Sequence, residues 1–183
     1  MDDISLKIDI TGLKGLLENL RRYDRDLYKE VANELKTAAQ PLANRVGAAF
    51  PARPPLSGWH QRGRVGEAEL PGYDGGRART GVKPIVYSGN KFVNKNVGIL
   101  RLQQMNAGGA VYDGAGSAMA KRRGDRFIRN LDKHSAIKSS GNGRRSRVMF
   151  PTTKKNMPII EDAVRKAIDT LNERIVDNLT SGY

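Results

Sequence analysis

DRDLYKEVANELKTAAQPLANRVGAAF, residues 24–50, is the stretch on which the fold turns. Leu27, Val31, Leu35, Leu42 and Val46 recur at the three-and-four spacing of one helix face, and Ala38, Ala39 and Ala43 permit close approach to whatever lies beneath. Asp24 stands where a side-chain oxygen caps free N–H groups of a first turn. Run to Phe50, such a helix is about 40 Å long at ~1.5 Å per residue. Pro41 falls inside it. Proline deletes a backbone hydrogen bond and crowds the preceding turn, yet the stripe resumes in phase, so a kink near Thr37 to Pro41 is expected rather than a break.

On the N-terminal side, Ile4, Leu6, Ile8 and Ile10 alternate with Ser5, Lys7 and Asp9, the pattern of a half-buried strand. Thr11-Gly12 ends it, and Leu13, Leu16, Leu17 and Leu20 then follow a short helix. At the other end, Pro158 suits a first helical position, with Glu161 and Asp162 where the helix dipole favours anions. Ile160, Val164, Ala167, Ile168, Leu171, Ile175 and Leu179 continue at helical spacing, and Gly182 is the expected stop.

The region between these helices is of a different kind. Residues 51–157 hold 21 Lys/Arg against 6 Asp/Glu, whereas residues 1–50 are balanced at 8 and 8 and residues 158–183 are acidic at 3 against 5. The whole net charge of +13 therefore originates in the middle. From Pro51 to Gly81 periodicity is lost: Pro51, Pro54, Pro55 and Pro71 punctuate seven glycines and five arginines, including Arg62 and Arg64. This reads as an extended Pro/Gly/Arg-rich arm over 51–81, ordered by a partner if at all. Trp59, the only tryptophan, either packs locally over the helices or anchors a subunit contact, where tryptophan is enriched.

Four short strands are expected next, at Val82–Tyr87, Val97–Leu102, Ala110–Tyr112 and Arg147–Phe150, forming an antiparallel sheet. Ser88-Gly89-Asn90, Gly108-Gly109 and Gly114-Ala115-Gly116 offer the positive-φ positions of tight reversals. Residues 117–147 read as a basic insertion, a long hairpin loop carrying Lys121, Arg122, Arg123, Arg126, Arg129, Lys133, Lys138, Arg144, Arg145 and Arg147. The fold class is thus α+β: an N-terminal strand, a long kinked helix and a C-terminal helix packed on a small antiparallel sheet, with long basic loops, in one domain over 1–183.

Composition excludes several function classes. No cysteine is present, so neither a disulfide framework nor a thiolate metal site exists. No run of about 18 apolar residues suggests a membrane span, and Met1-Asp2-Asp3 does not read as a signal peptide. His60 and His134 are isolated from acidic neighbours, and Glu67 and Glu69 sit among arginines as salt-bridging groups rather than a catalytic pair. The glycine clusters lack the strand, G-x-x-x-x-G-K-[ST] and helix order of a phosphate cradle. No catalytic, cofactor or metal site is expected, and the chain reads as a non-enzyme.

The frame resembles a known family. A leading strand over Ile4–Ile10, Gly12-Leu13 opening a leucine helix and a long Ala-rich helix running into Phe50-Pro51-Ala52-Arg53 come first. A Gly-rich segment ending in Val111-Tyr112-Asp113-Gly114 and a closing helix after Met157-Pro158 complete the order. Together these resemble the tail-completion or neck proteins of long-tailed bacteriophages, in which a strand ends in an aromatic, an acid and a glycine. The Pro54–Thr80 run and the Arg-rich insertion have no counterpart in that pattern.

The resemblance implies a virion protein of the head–tail joint, without enzymatic activity, assembling as a homo-oligomeric and usually sixfold ring. Its partners would be a head-closure or connector protein and a tail terminator or tail tube protein, with the host cytoplasm as its location during assembly. Tail terminator and head-closure proteins are alternatives within the same class. A different reading comes from the pI near 10.2: sequence-independent binding of double-stranded DNA by the arginines and lysines. Candidate subunit or nucleic-acid contacts are Trp59, Arg62, Arg64, Lys121, Arg122, Arg123, Arg126, Arg129, Arg144, Arg145 and Arg147.

Overall fold

The computed structural model describes Leu17, residues 19–22, 24–60, 63–65, 68–86, 100–116, 125–137 and 146–180. Its elements are α1 (Arg25–Ala48), β1 (Gly63–Val65), β2 (Ala68–Leu70), α2 (Gly75–Thr80), β3 (Val82–Val86), β4 (Leu100–Gln104), α3 (Ala107–Gly114), α4 (Asp125–His134) and α5 (Met149–Thr180). β1 pairs antiparallel with β2, placing Gly63 opposite Leu70, and β3 pairs with β4 in a second two-stranded sheet. Helices with small strand pairings make this an α+β fold, as the sequence implies.

The long helix forms as its stripe dictates. Asp24 Oδ1 accepts the N–H groups of Asp26 and Leu27 at 3.1 and 2.9 Å, closing the first turn. Val31, Leu35, Ala39, Leu42, Ala43 and Val46 are all buried. Each fully buried Val or Leu side chain stabilises by about 1.5–3 kcal/mol. Pro41 is exposed and the helix runs through it without a break. Leu17 and residues 19–22 are helical too, the described part of the leucine helix. The Ile4–Ile10 strand, the Ser88-Gly89-Asn90 turn and Gly182 lie outside the described residues.

The chain packs as two compact units that interleave in sequence. One comprises the described residues of 43–83 and 103–155; the other, those of 5–42, 84–102 and 156–183. The first buries Val46, Phe50, Trp59, Tyr73, Ala78, Val82, Tyr112, Leu131 and Val148. The second buries Leu17, Val31, Leu35, Leu42, Val86, Leu100, Leu102, Ile160 and Val164.

Several expectations are corrected. The 51–81 stretch is not an extended arm: it carries the β1–β2 hairpin and α2, which Asp74 caps by accepting the Arg77 N–H at 2.9 Å. Residues 110–112 are helical rather than a strand, because Asn106 caps α3, Gly108 lets that helix lie against the Gly72-Tyr73 backbone and Gly109 makes room for the Gln104 and Ala78 side chains. A Cβ at Gly108 would overlap the Gly72 carbonyl, so this glycine serves close approach and not a reversal. The insertion at 117–147 contains a helix, α4, in place of a loop throughout. Finally, Arg147 and Val148 precede a helix instead of opening a strand, and Pro158 lies inside α5, which starts nine residues earlier.

Candidate functional site

Among the described residues, the densest chemistry lies within the unit formed by residues 43–83 and 103–155. Its centre is an aromatic cluster. The Trp59 ring lies 5.3 Å from Tyr73, 6.5 Å from Tyr112 and 5.1 Å from Phe127, the last edge-on, while Tyr73 and Phe50 approach Tyr112 at 5.7 and 6.2 Å. Tilted and edge-on pairs of this kind contribute about 0.5–1.5 kcal/mol each beyond their buried area. Every polar handle in the cluster is satisfied. Trp59 Nε1 donates to Pro71 O at 2.9 Å, Tyr73 Oη donates to Pro51 O at 2.8 Å, and Tyr112 Oη bonds Ser135 Oγ at 2.6 Å. Burial raises the pKa of both tyrosines, keeping the phenols neutral.

These bonds explain how a Pro/Gly-rich stretch becomes ordered. Trp59 and Tyr73 clip the two ends of the segment between them, and the Tyr73 N–H also donates to Trp59 O at 2.6 Å. Gly75 then passes so close to the Ala52 carbonyl that a Cβ would overlap it. Trp59 is 4% exposed, so it packs locally within its own unit and does not present a subunit anchor.

Below the rings lies a buried charged group. Asp113, 5% exposed, follows Tyr112 on α3, and its Oδ1 accepts the N–H groups of Val148 and Met149 at 2.7 and 2.9 Å. It thereby caps α5 from 35 residues away, assisted locally by Ser146 Oγ, which accepts the Phe150 N–H at 2.6 Å. Burial raises the Asp113 pKa, against the opposing pull of those backbone N–H groups, Ser146 and the nearby Arg147 cation.

Arg147 completes the group. Its Nε donates to Ala115 O at 2.6 Å, and Nη1 donates to Asp132 Oδ1 at 2.6 Å and to Ile137 O at 3.0 Å. One guanidinium thus joins the ends of α3 and α4 to the start of α5, and it lies 5.8 Å from the Tyr112 ring. The side chain is only 1% exposed, which overturns its assignment as a subunit or nucleic-acid contact. The reason is that it faces a carboxylate and two carbonyls within its own unit.

Of the other sequence-derived contacts, Arg126 and Arg129 are exposed on α4. Arg64 lies in β1, with its side chain outside the described residues; Arg62, Lys121, Arg122, Arg123, Arg144 and Arg145 are outside them altogether. Sequence reasoning missed Asp113, Tyr112, Asp132 and Ser135 as members of one group. A local sign existed for the start of α5, since Ser146 stands just before Val148-Met149-Phe150 as a capping serine does.

His60 and His134 are exposed, and among the described residues no group of three or more His, Asp or Glu side chains is placed to hold a metal ion. No described helix is long and apolar enough to cross a membrane. The buried acid, arginine and phenol are directed at backbone groups and at each other, an arrangement that fastens elements together. Comparison with known proteins gives no match: no protein-family model, no curated protein and no solved structure is similar to this chain.

Proposed function

We propose that this chain is a structural subunit of the head–tail joint of a long-tailed bacteriophage, a tail-completion or neck protein that assembles into a ring. One observation carries the reading. The Val111-Tyr112-Asp113-Gly114 stretch, one of the segments that carry the sequence resemblance, lies in a helix here rather than at a strand end and provides two of the side chains that hold α3, α4 and α5 together. A motif used for fastening suits a part whose task is to keep its shape under load between a head and a tail. In this reading the ring is sixfold, as the resembled family implies, and its neighbours are a head-closure or connector protein and a tail terminator or tail tube protein. The chain acts by assembly and turns over no substrate.

The test is a joining assay. Lysates of the encoding phage with this chain deleted should hold filled heads and complete tails side by side, and adding the purified chain should restore joined particles and infectivity. Deletion lysates with normal joined particles would overturn the proposal.

A further inference from the structure

The outer face of α4 has no role in the packing just described. Over its ten residues, Leu131 is buried and Phe127 turns inward, edge-on to Trp59, while Arg126, Arg129, Asn130 and Lys133 are exposed. Steps of three and four residues place Arg126, Arg129 and Lys133 on one side, spanning about 10 Å along the axis at ~1.5 Å per residue. None of these three cations is ion-paired among the described residues. Of the acids on this helix, Asp132 is paired with Arg147, and Asp125, four residues before Arg129 at the helix start, forms no ion pair with these cations among the described residues. Ring packing, the buried Leu131 and the Arg147–Asp132 pair fix how the helix is rolled. The cationic face is therefore preset.

We propose that this face of α4 grips the sugar–phosphate backbone of duplex DNA without reading its sequence. Three guanidinium and ammonium groups beside one amide donor match a row of phosphate oxygens, the contacts that position a protein on DNA but do not specify bases. The inward turn of Phe127 removes the ring nearest these cations as a stacking platform, which favours a duplex over a single strand. The inference goes beyond the joint assignment and does not depend on it: a failed joining assay leaves it standing, and loss of DNA binding leaves the joint assignment standing.

The experiment is fluorescence anisotropy of the full chain with a labelled 30-base-pair duplex of arbitrary sequence, across a salt series. A single strand of equal length and a polyglutamate peptide are the competitors. Replacing Arg126, Arg129 and Lys133 together by Gln should lower the slope of log affinity against log salt by about 2.7, at ~0.9 per lost phosphate contact. The control, Lys154→Gln with Lys155→Gln, removes two exposed charges from α5 and should leave most of the slope in place. Circular dichroism of each variant confirms that the helices persist. Absence of duplex binding by the wild type, an unchanged slope in the triple variant, an equal fall per charge in the control, or stronger competition by polyglutamate than by duplex would each overturn the proposal.

Discussion

Replacing Asp113 by Ala removes the acceptor for two N–H groups at the buried start of α5. Each buried donor left without a partner costs about 1–3 kcal/mol, and loss of a helix cap alone costs about 0.5–2 kcal/mol. These figures overlap, so a destabilisation of about 2–5 kcal/mol is expected. For a chain of this length, about 2–4 °C of melting temperature accompanies each kcal/mol, giving a drop of roughly 4–20 °C. Asp113→Asn keeps a carbonyl oxygen that can still accept from the helix start and should lose less than half as much. Thermal and urea unfolding followed by far-ultraviolet circular dichroism at pH 7 measures both. An Ala variant within about 0.5 kcal/mol of wild type, or an Asn variant as damaged as Ala, refutes the capping role.

Burial raises the Asp113 carboxyl above its ordinary 3.8, so the folded chain holds that proton more tightly than the unfolded chain. The stability from this group is full below pH 3.8 and falls as pH rises through the window above it; wild type should gain on Asp113→Asn when acidified from pH 7 to 4, and a pH-independent gap contradicts this. Tyr73 and Tyr112 shift upward for the same reason, so stability should fall as pH climbs past the ordinary phenol value near 10, less steeply in a Tyr73→Phe variant. Arg147→Met should cost about 3 kcal/mol in urea unfolding by removing the buried donor to Asp132 and to two carbonyls, and Arg147→Lys should not restore it, since one ammonium cannot span all three acceptors. Gly75→Ala should destabilise by at least about 1–3 kcal/mol through overlap with the Ala52 carbonyl, whereas Gly114→Ala, with open space around it, should be neutral or slightly stabilising by the same melts.

The parts legible in the sequence are those governed by local chemistry. The α1 stripe, its Asp24 cap and its passage through Pro41 follow from spacing and side-chain type alone. β3 emerges where β-branched residues follow the turn at Gly81. The rest was set by contacts distant in sequence. Ala110-Val111-Tyr112 has strand-forming residues, yet Asn106 starts a helix there and Tyr112 fills the ring cluster, so tertiary packing overrode propensity. The start of α5 was hidden because its main cap, Asp113, is 35 residues upstream, and Pro158 resembled a start while being an exposed interior position.

Charge was the least readable feature of the site. Arg147 belongs to a run of arginines that composition treats alike, but a carboxylate and two carbonyls bury it while Arg126 and Arg129 remain outside. Trp59 was open between two readings, and Pro71 O and the Tyr73 and Phe127 rings decide for local packing.

The most direct test of the proposed role is an electron cryomicroscopy reconstruction of the intact phage particle carrying a tagged copy of this chain. Tag density in a ring at the head–tail joint, with α5 traceable from Met149 and seated on Asp113, is the expected result. Particles whose joint is built without this chain, while the chain itself stays behind as free monomer in the lysate, contradict it.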